Sequence, residues 1–183
     1  MSSRENNNAE STLSALLREK PKRGRPRHAV SRQNVYVELA PVDKKLIKAL
    51  VAHLPKPVKK ADLPDLAVTI LTTRMEALRR AVAGRNREIP EGITDLESLY
   101  LLWDLPLPVD VDKRKWTSIR LSPQQAIELG RAHGTFKAVF GSSRSDTFGL
   151  GVFLLKQYLE ANEFAAQDLS LANLQQKITE NFL

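Results

Sequence analysis

Cysteine is absent from this chain. Disulfides, thiolate zinc sites and a cysteine nucleophile are therefore excluded, and the composition fits a reducing compartment. Aromatic residues make up 6% of the 183 positions, so the core that a 42% hydrophobic content allows has to be filled largely by Leu, Ile and Val. No apolar run reaches the ~18 residues that a membrane span requires, and Met1 to Glu10 is polar, without the apolar stretch of a signal peptide. A soluble, intracellular protein is expected. Histidine is scarce: His28, His53 and His133 stand far apart, with none at metal-ligand spacing. Asp110 and Asp112 are too few and too local to argue for a metal. There is no phosphate loop and no nucleophile elbow, and the carboxylates of Glu160 and Glu163 fall on the expected surface of a helix. No metal, no cofactor and no enzymatic activity are expected.

Positive charge is in excess: 28 Lys and Arg against 21 Asp and Glu, a net charge of +7. Such a balance favours a polyanionic partner, most often nucleic acid. The charge is concentrated near the start. Residues 1–32 form a polar, basic arm that composition marks as disordered, apart from a short amphipathic stretch from Ser11 to Lys20. Between Lys20 and Arg32 there is no acidic residue. At its centre, Lys22-Arg23-Gly24-Arg25-Pro26-Arg27 has a physical logic. Gly24 lets the backbone approach a groove floor, Pro26 holds the chain extended, and Arg23 and Arg25 can run in opposite directions along a narrow, electronegative groove. With Pro21 before them, these residues resemble the AT-hook motif over about seven positions. The resemblance implies binding to A·T-rich minor grooves by Arg23, Gly24, Arg25 and Pro26, with Lys22 and Arg27 on phosphates.

The rest of the chain is organised by a repeat. Asn34-Val35-Tyr36-Val37-Glu38-Leu39 alternates apolar and polar, followed by Ala40-Pro41. Trp116-Thr117-Ser118-Ile119-Arg120-Leu121 alternates in the same way, followed by Ser122-Pro123. Leu39 and Leu121, Pro41 and Pro123, and Val37 and Ile119 all stand 82 residues apart. Strict alternation predicts half-buried strands, and the proline after each marks a helix start. In the first unit, residues 33–84, one helix is expected from Pro41 to Leu54 and a second from about Leu66 to Ala83, capped by Asp62 or Asp65 and closed by Gly84. In the second unit, residues 115–161, the first helix is expected from Pro123 to His133, ended by Gly134. An apolar loop follows, and a second helix reaches about Ala161 with Ser142, Ser143 or Ser145 as N-cap. Gly149 and Gly151 are unusual inside that helix and would permit a close helix crossing. The connector, residues 85–114, carries a short helix from Leu96 to Asp104 whose Leu96, Leu99, Tyr100 and Trp103 make a core-facing stripe. Residues 162–183 end in an amphipathic helix with Leu171, Leu174, Ile178 and Phe182 aligned.

A lone six-residue strand cannot satisfy its own backbone. Two such strands, antiparallel and adjacent, make a ribbon with Val35, Val37, Leu39, Thr117, Ile119 and Leu121 toward the helices. The expected fold is therefore mainly α with a short two-stranded antiparallel β-ribbon. The outward face would be Asn34, Tyr36, Glu38, Trp116, Ser118 and Arg120, and a two-stranded ribbon fits the major groove of B-DNA. At this point the chain resembles the ribbon-helix-helix proteins, the Arc and MetJ class of β-ribbon readers, over residues 34–84 and 115–161. The resemblance implies two ribbon-helix-helix units on one chain in a pseudo-twofold domain, with exchange of units between chains also open. It implies base reading by Arg120, with Ser118 and Asn34 as further readers and Trp116 and Tyr36 on thymine methyls or backbone. Glu38 would accept from a cytosine or pair with Arg120 across the strands. It also implies phosphate clamping at the start of each second helix, by Ser142, Ser143, Arg144 and Ser145 in one unit and by Lys59 and Lys60 in the other.

The function expected from these features is sequence-specific DNA binding by a transcriptional repressor, cytoplasmic and nucleoid-associated, with double-stranded DNA as partner and oligomerisation on DNA as an option. The alternatives are an antitoxin-like or plasmid-partition adaptor that also holds a protein partner, through the C-terminal helix or the Ser11 to Lys20 stretch, and an architectural binder of low specificity.

Overall fold

The two alternating segments do meet. In the computed structural model, which describes residues 31–82, 89–109 and 111–183, strands β1 (Gln33–Leu39) and β2 (Lys115–Leu121) form one two-stranded antiparallel sheet. Tyr36 faces Ser118, Asn34 faces Arg120 and Glu38 faces Trp116. Val37, Leu39, Ile119 and Leu121 are buried, with Val35 and Thr117 half-buried beside them. A two-stranded ribbon is marginal alone. Each fully buried aliphatic side chain contributes about 1.5–3 kcal/mol, so this ribbon is held by the helices under it.

Those helices are α1 (Pro41–Leu50), α2 (Leu63–Ala81), α3 (Leu96–Leu102), α4 (Pro123–Phe140), α5 (Arg144–Ala161) and α6 (Leu171–Phe182). The 82-residue spacing persists: both strands, and the starts of α1 and α4, keep it without drift. Local chemistry explains most termini. The Asp43 carboxylate accepts the Ala40 N–H at 3.0 Å, before Pro41. Asp95 accepts the Ser98 N–H at 2.7 Å. Ser143 and Asp146 form a reciprocal capping box, with the Ser143 hydroxyl accepting the Asp146 N–H at 3.1 Å and the Asp146 carboxylate accepting the Ser143 N–H at 2.9 Å.

Several boundaries differ from expectation. After Leu50 the first helix tightens into a 3₁₀ turn, Val51–His53, ahead of Pro55. Helix α2 starts at Leu63, because a 3₁₀ turn, Lys60–Asp62, feeds directly into it. The largest difference is in α4, which does not end at Gly134 but runs through it to Phe140. Phe136 is fully buried, and its packing holds the extra turns against the weak helix preference of glycine. The helix stops at Gly141, whose φ of 68° only glycine adopts freely. The expected C-terminal cap at Gly84 lies outside the described residues.

The buried side chains form one contiguous core. Helices α2 and α5 cross through its centre, where Gly151 packs directly on the Ala67 carbonyl. The connector stripe is core: Leu99, Tyr100 and Trp103 are buried, and the Tyr100 ring meets Phe153 edge-on at 5.8 Å. Helix α6 lies on α2. Its Leu174 and Ile178 are fully buried, Gln175 Nε2 donates to Thr69 Oγ1 at 2.9 Å, and Arg74 stacks on the Phe182 ring at 4.7 Å. The C-terminal helix therefore spends its apolar stripe inside its own chain. The face expected to hold a protein partner is thus packed on α2.

Candidate nucleic-acid interface

Alternation sends Asn34, Tyr36, Glu38, Trp116, Ser118 and Arg120 away from the helices. Five of the six are exposed, and Glu38 is half-buried. Tyr36 is 62% and Trp116 70% exposed, the two largest side chains on this surface, and no element among the described residues covers them. The ladder separates Glu38 from Arg120. Glu38 sits opposite Trp116 and Arg120 opposite Asn34, at the two ends of the outward face. Direct cross-strand pairing of Glu38 with Arg120 is thus ruled out by the register, and among the described residues Arg120 makes no ion pair.

The starts of the two second helices are more occupied than the resemblance implied. Ser142 is buried. Ser143 is spent as the N-cap of α5, and the Ser145 hydroxyl accepts the Glu38 N–H at 2.8 Å, tying α5 to β1. At the other helix the Asp62 carboxylate accepts the Lys59 N–H at 2.8 Å. A phosphate arriving at these ends would meet the exposed side chains of Arg144, Lys59 and Lys60 rather than serine hydroxyls. Lys22, Arg23, Gly24, Arg25, Pro26 and Arg27 lie outside the described residues.

Sequence reasoning missed two positioning residues. Arg32 donates to the Asp62 carboxylate and to the Ala61 carbonyl, and lies 3.4 Å from the Asp65 carboxylate. Arg114 donates to the Asp146 carboxylate. Each arginine stands just before a strand and reaches the start of a second helix, so each ion pair fixes how the ribbon sits on the helices. The signal was present, because Arg32 and Arg114 are also 82 residues apart. Asp65 is no cap either. It is buried and accepts the Ser122 N–H at 2.9 Å, joining α2 to the end of β2. Burial pushes its carboxyl up, with the Ser122 N–H and the Arg32 charge opposing.

Asp146 behaves oppositely. Burial acts to raise its carboxyl, but the Ser143 hydroxyl and the Arg114 guanidinium outweigh this and hold it below the ordinary value of 3.8. A carboxylate with a depressed folded value contributes stability above its unfolded value, and that contribution is lost as pH falls through the folded value. Urea midpoints measured from about pH 5 down to about pH 3 should therefore fall in the wild type and fall less steeply in Asp146→Asn. Parallel profiles would show that the pair does not anchor the ribbon.

Among the described residues, no group of three or more His, Asp or Glu side chains could hold a metal, and no helix is long and apolar enough to cross a membrane. Fold and surface together define a mainly helical protein built under a two-stranded antiparallel ribbon, whose open face carries aromatic, polar and guanidinium side chains. No protein-family model, no curated protein and no solved structure matches the chain.

Proposed function

We propose that this protein is a sequence-specific DNA-binding regulator, a repressor, in which two strand-helix-helix units of one chain act as a pseudo-twofold ribbon-helix-helix domain. The observation that carries the reading is the register. Tyr36 and Ser118 are repeat equivalents and face each other, while Asn34 faces the equivalent of Glu38 and Glu38 faces the equivalent of Asn34. A twofold axis through the Tyr36–Ser118 pair produces this pattern. The open ribbon face then enters the major groove, and the AT-hook-like arm takes the adjoining minor groove, raising affinity through effective concentration.

The two half-surfaces differ at every equivalent position: Asn34 against Trp116, Tyr36 against Ser118, Glu38 against Arg120. A symmetric dimer reads a palindrome, whereas this domain reads two unlike half-sites. Selection of bound sequences from a random DNA pool tests this directly. An enriched motif without dyad symmetry is expected, with A·T enrichment beside it that disappears when residues 1–32 are removed. A perfect palindrome, or no enrichment at all, would overturn the reading.

The adaptor reading draws on a different surface. Leu101 and Leu102, adjacent on the connector helix, are 72% and 51% exposed, apolar side chains suited to a protein contact. It predicts a DNA-bound complex whose partner is lost on Leu101→Asp, with DNA affinity unchanged.

A further inference from the structure

A cavity of about 600 Å³ opens between β2, α1, the start of α2 and the middle of α5. Its floor is apolar, including Ile47, Phe148, Val152 and Leu155. Five cationic side chains line it, Arg32, Lys44, Lys48, Lys60 and Arg120, and no Asp or Glu does. Arg32 is neutralised by Asp62 and Asp65. The other four make no ion pair among the described residues. Clustered unpaired cations repel one another, so their arrangement needs a reason.

The opposite side of the molecule shows that the fold does not demand it. A cavity of about 220 Å³ beside β1 and α4 is lined by Val35, Ala126, Leu129 and Gly130, with Gln33, Ile127 and a single cation, Arg144. Val35, Ala126, Leu129 and Gly130 stand 82 residues from Thr117, Lys44, Ile47 and Lys48 and are their repeat equivalents. There the two helix lysines are replaced by alanine and glycine, one arginine is the only cation in the lining, and the space is far smaller. Size, apolar floor and lysines together are peculiar to one side.

We infer that the larger cavity is a binding site for an amphiphilic monoanion, with its apolar tail on the Phe148 and Val152 floor and its carboxylate or phosphate head on Lys44, Lys48 and Lys60. The volume lies in the range of small-molecule sites, and an anionic head group on these ammonium groups makes charge-assisted hydrogen bonds. Ser118 and Arg120 line both this cavity and the outward ribbon face. A bound anion would compete for the Arg120 guanidinium and so weaken DNA binding. That coupling rests on the proposed DNA reading; the site itself does not.

Calorimetric titration of the full chain, without DNA, tests the site. Dodecanoate and dodecyl phosphate should each bind saturably at one site, below their micellar concentrations, and dodecyltrimethylammonium should not. The relative strength of the first two distinguishes carboxylate from phosphate heads. Lys44→Ala with Lys48→Ala, both surface changes, should weaken binding at least about tenfold, and Ile47→Trp should block it by filling the floor. No saturable binding, equal binding of the cationic amphiphile, or unchanged affinity in the double variant would overturn the site. On the selected DNA, dodecanoate should release wild-type protein; binding without release would overturn the coupling to Arg120.

Discussion

Gly151→Ala is expected to be strongly destabilising, because Gly151 alone among the described glycines has no room for a Cβ. A Cβ at this position would lie 2.6 Å from the Ala67 carbonyl oxygen, 3.2 Å from its carbon and 3.4 Å from the Leu71 Cβ. The first two are backbone atoms of a buried helix and cannot swing aside, so α2 and α5 must move apart. Overpacking of this kind costs about 1–3 kcal/mol, and at a backbone-to-backbone crossing the upper end applies. The intrinsic gain of alanine over glycine in a helix, about 1 kcal/mol, offsets only part of it. Since a domain of this size has about 5–15 kcal/mol in total, Gly151→Leu should leave no cooperatively folded protein. Gly149 is the matched control: nothing lies within 4 Å of its added Cβ. Gly149→Ala should hold or raise stability by up to about 1 kcal/mol. Thermal unfolding followed by circular dichroism reads both. Equal midpoints for the two alanine variants would show that the α2–α5 crossing is looser than the structure has it.

The second large effect concerns the ribbon. On the sequence selected by the wild type, Arg120→Ala should lose about 1–3 kcal/mol, the worth of one bidentate guanine contact, and relax the preference in one half-site only. Glu38→Arg should do the reverse. Glu38 is the repeat equivalent of Arg120, half-buried on the outward face. Reversing its charge replaces repulsion from phosphate with attraction, so affinity should rise, the salt slope should steepen by about one unit, and the preferred sequence should become more nearly palindromic. Arg25→Ala should weaken binding mainly on sites with A·T-rich flanks. Fluorescence anisotropy across a salt series, with footprints of each variant, separates the three. The ribbon reading is abandoned if Arg120→Ala and Glu38→Arg both leave affinity and preference where they were.

The two substitutions draw on different kinds of information, and the difference runs through the whole molecule. The ribbon face was legible because a strand's side chains alternate with a period of two, and each strand is closed by its own proline-led helix start. Asn34, Tyr36, Glu38, Trp116, Ser118 and Arg120 all point where alternation sends them. The pairing of the strands followed from the need to satisfy two isolated sets of backbone groups, and the caps at Asp95 and Ser143 from side chains reaching three residues along. Gly134 misled for a related reason: its local preference is to end a helix, and only the buried Phe136 ring, placed by distant neighbours, overrides it.

Contacts between residues remote in the chain leave no period and no spacing to read. Asp65 carries a capping residue's signature, yet it reaches Ser122. The stripe of α6 resembles a docking face and is instead consumed by α2. Lys44 and Lys48 look like an ordinary solvated helix surface until folding sets them beside Lys60 and Arg120 over an apolar floor. Periodicity and capping are interactions within a few residues, so the amino-acid order alone determines them. Which faces end up covered, which charges meet and where space is left are settled by packing between elements tens of residues apart, and for these the folded arrangement was needed.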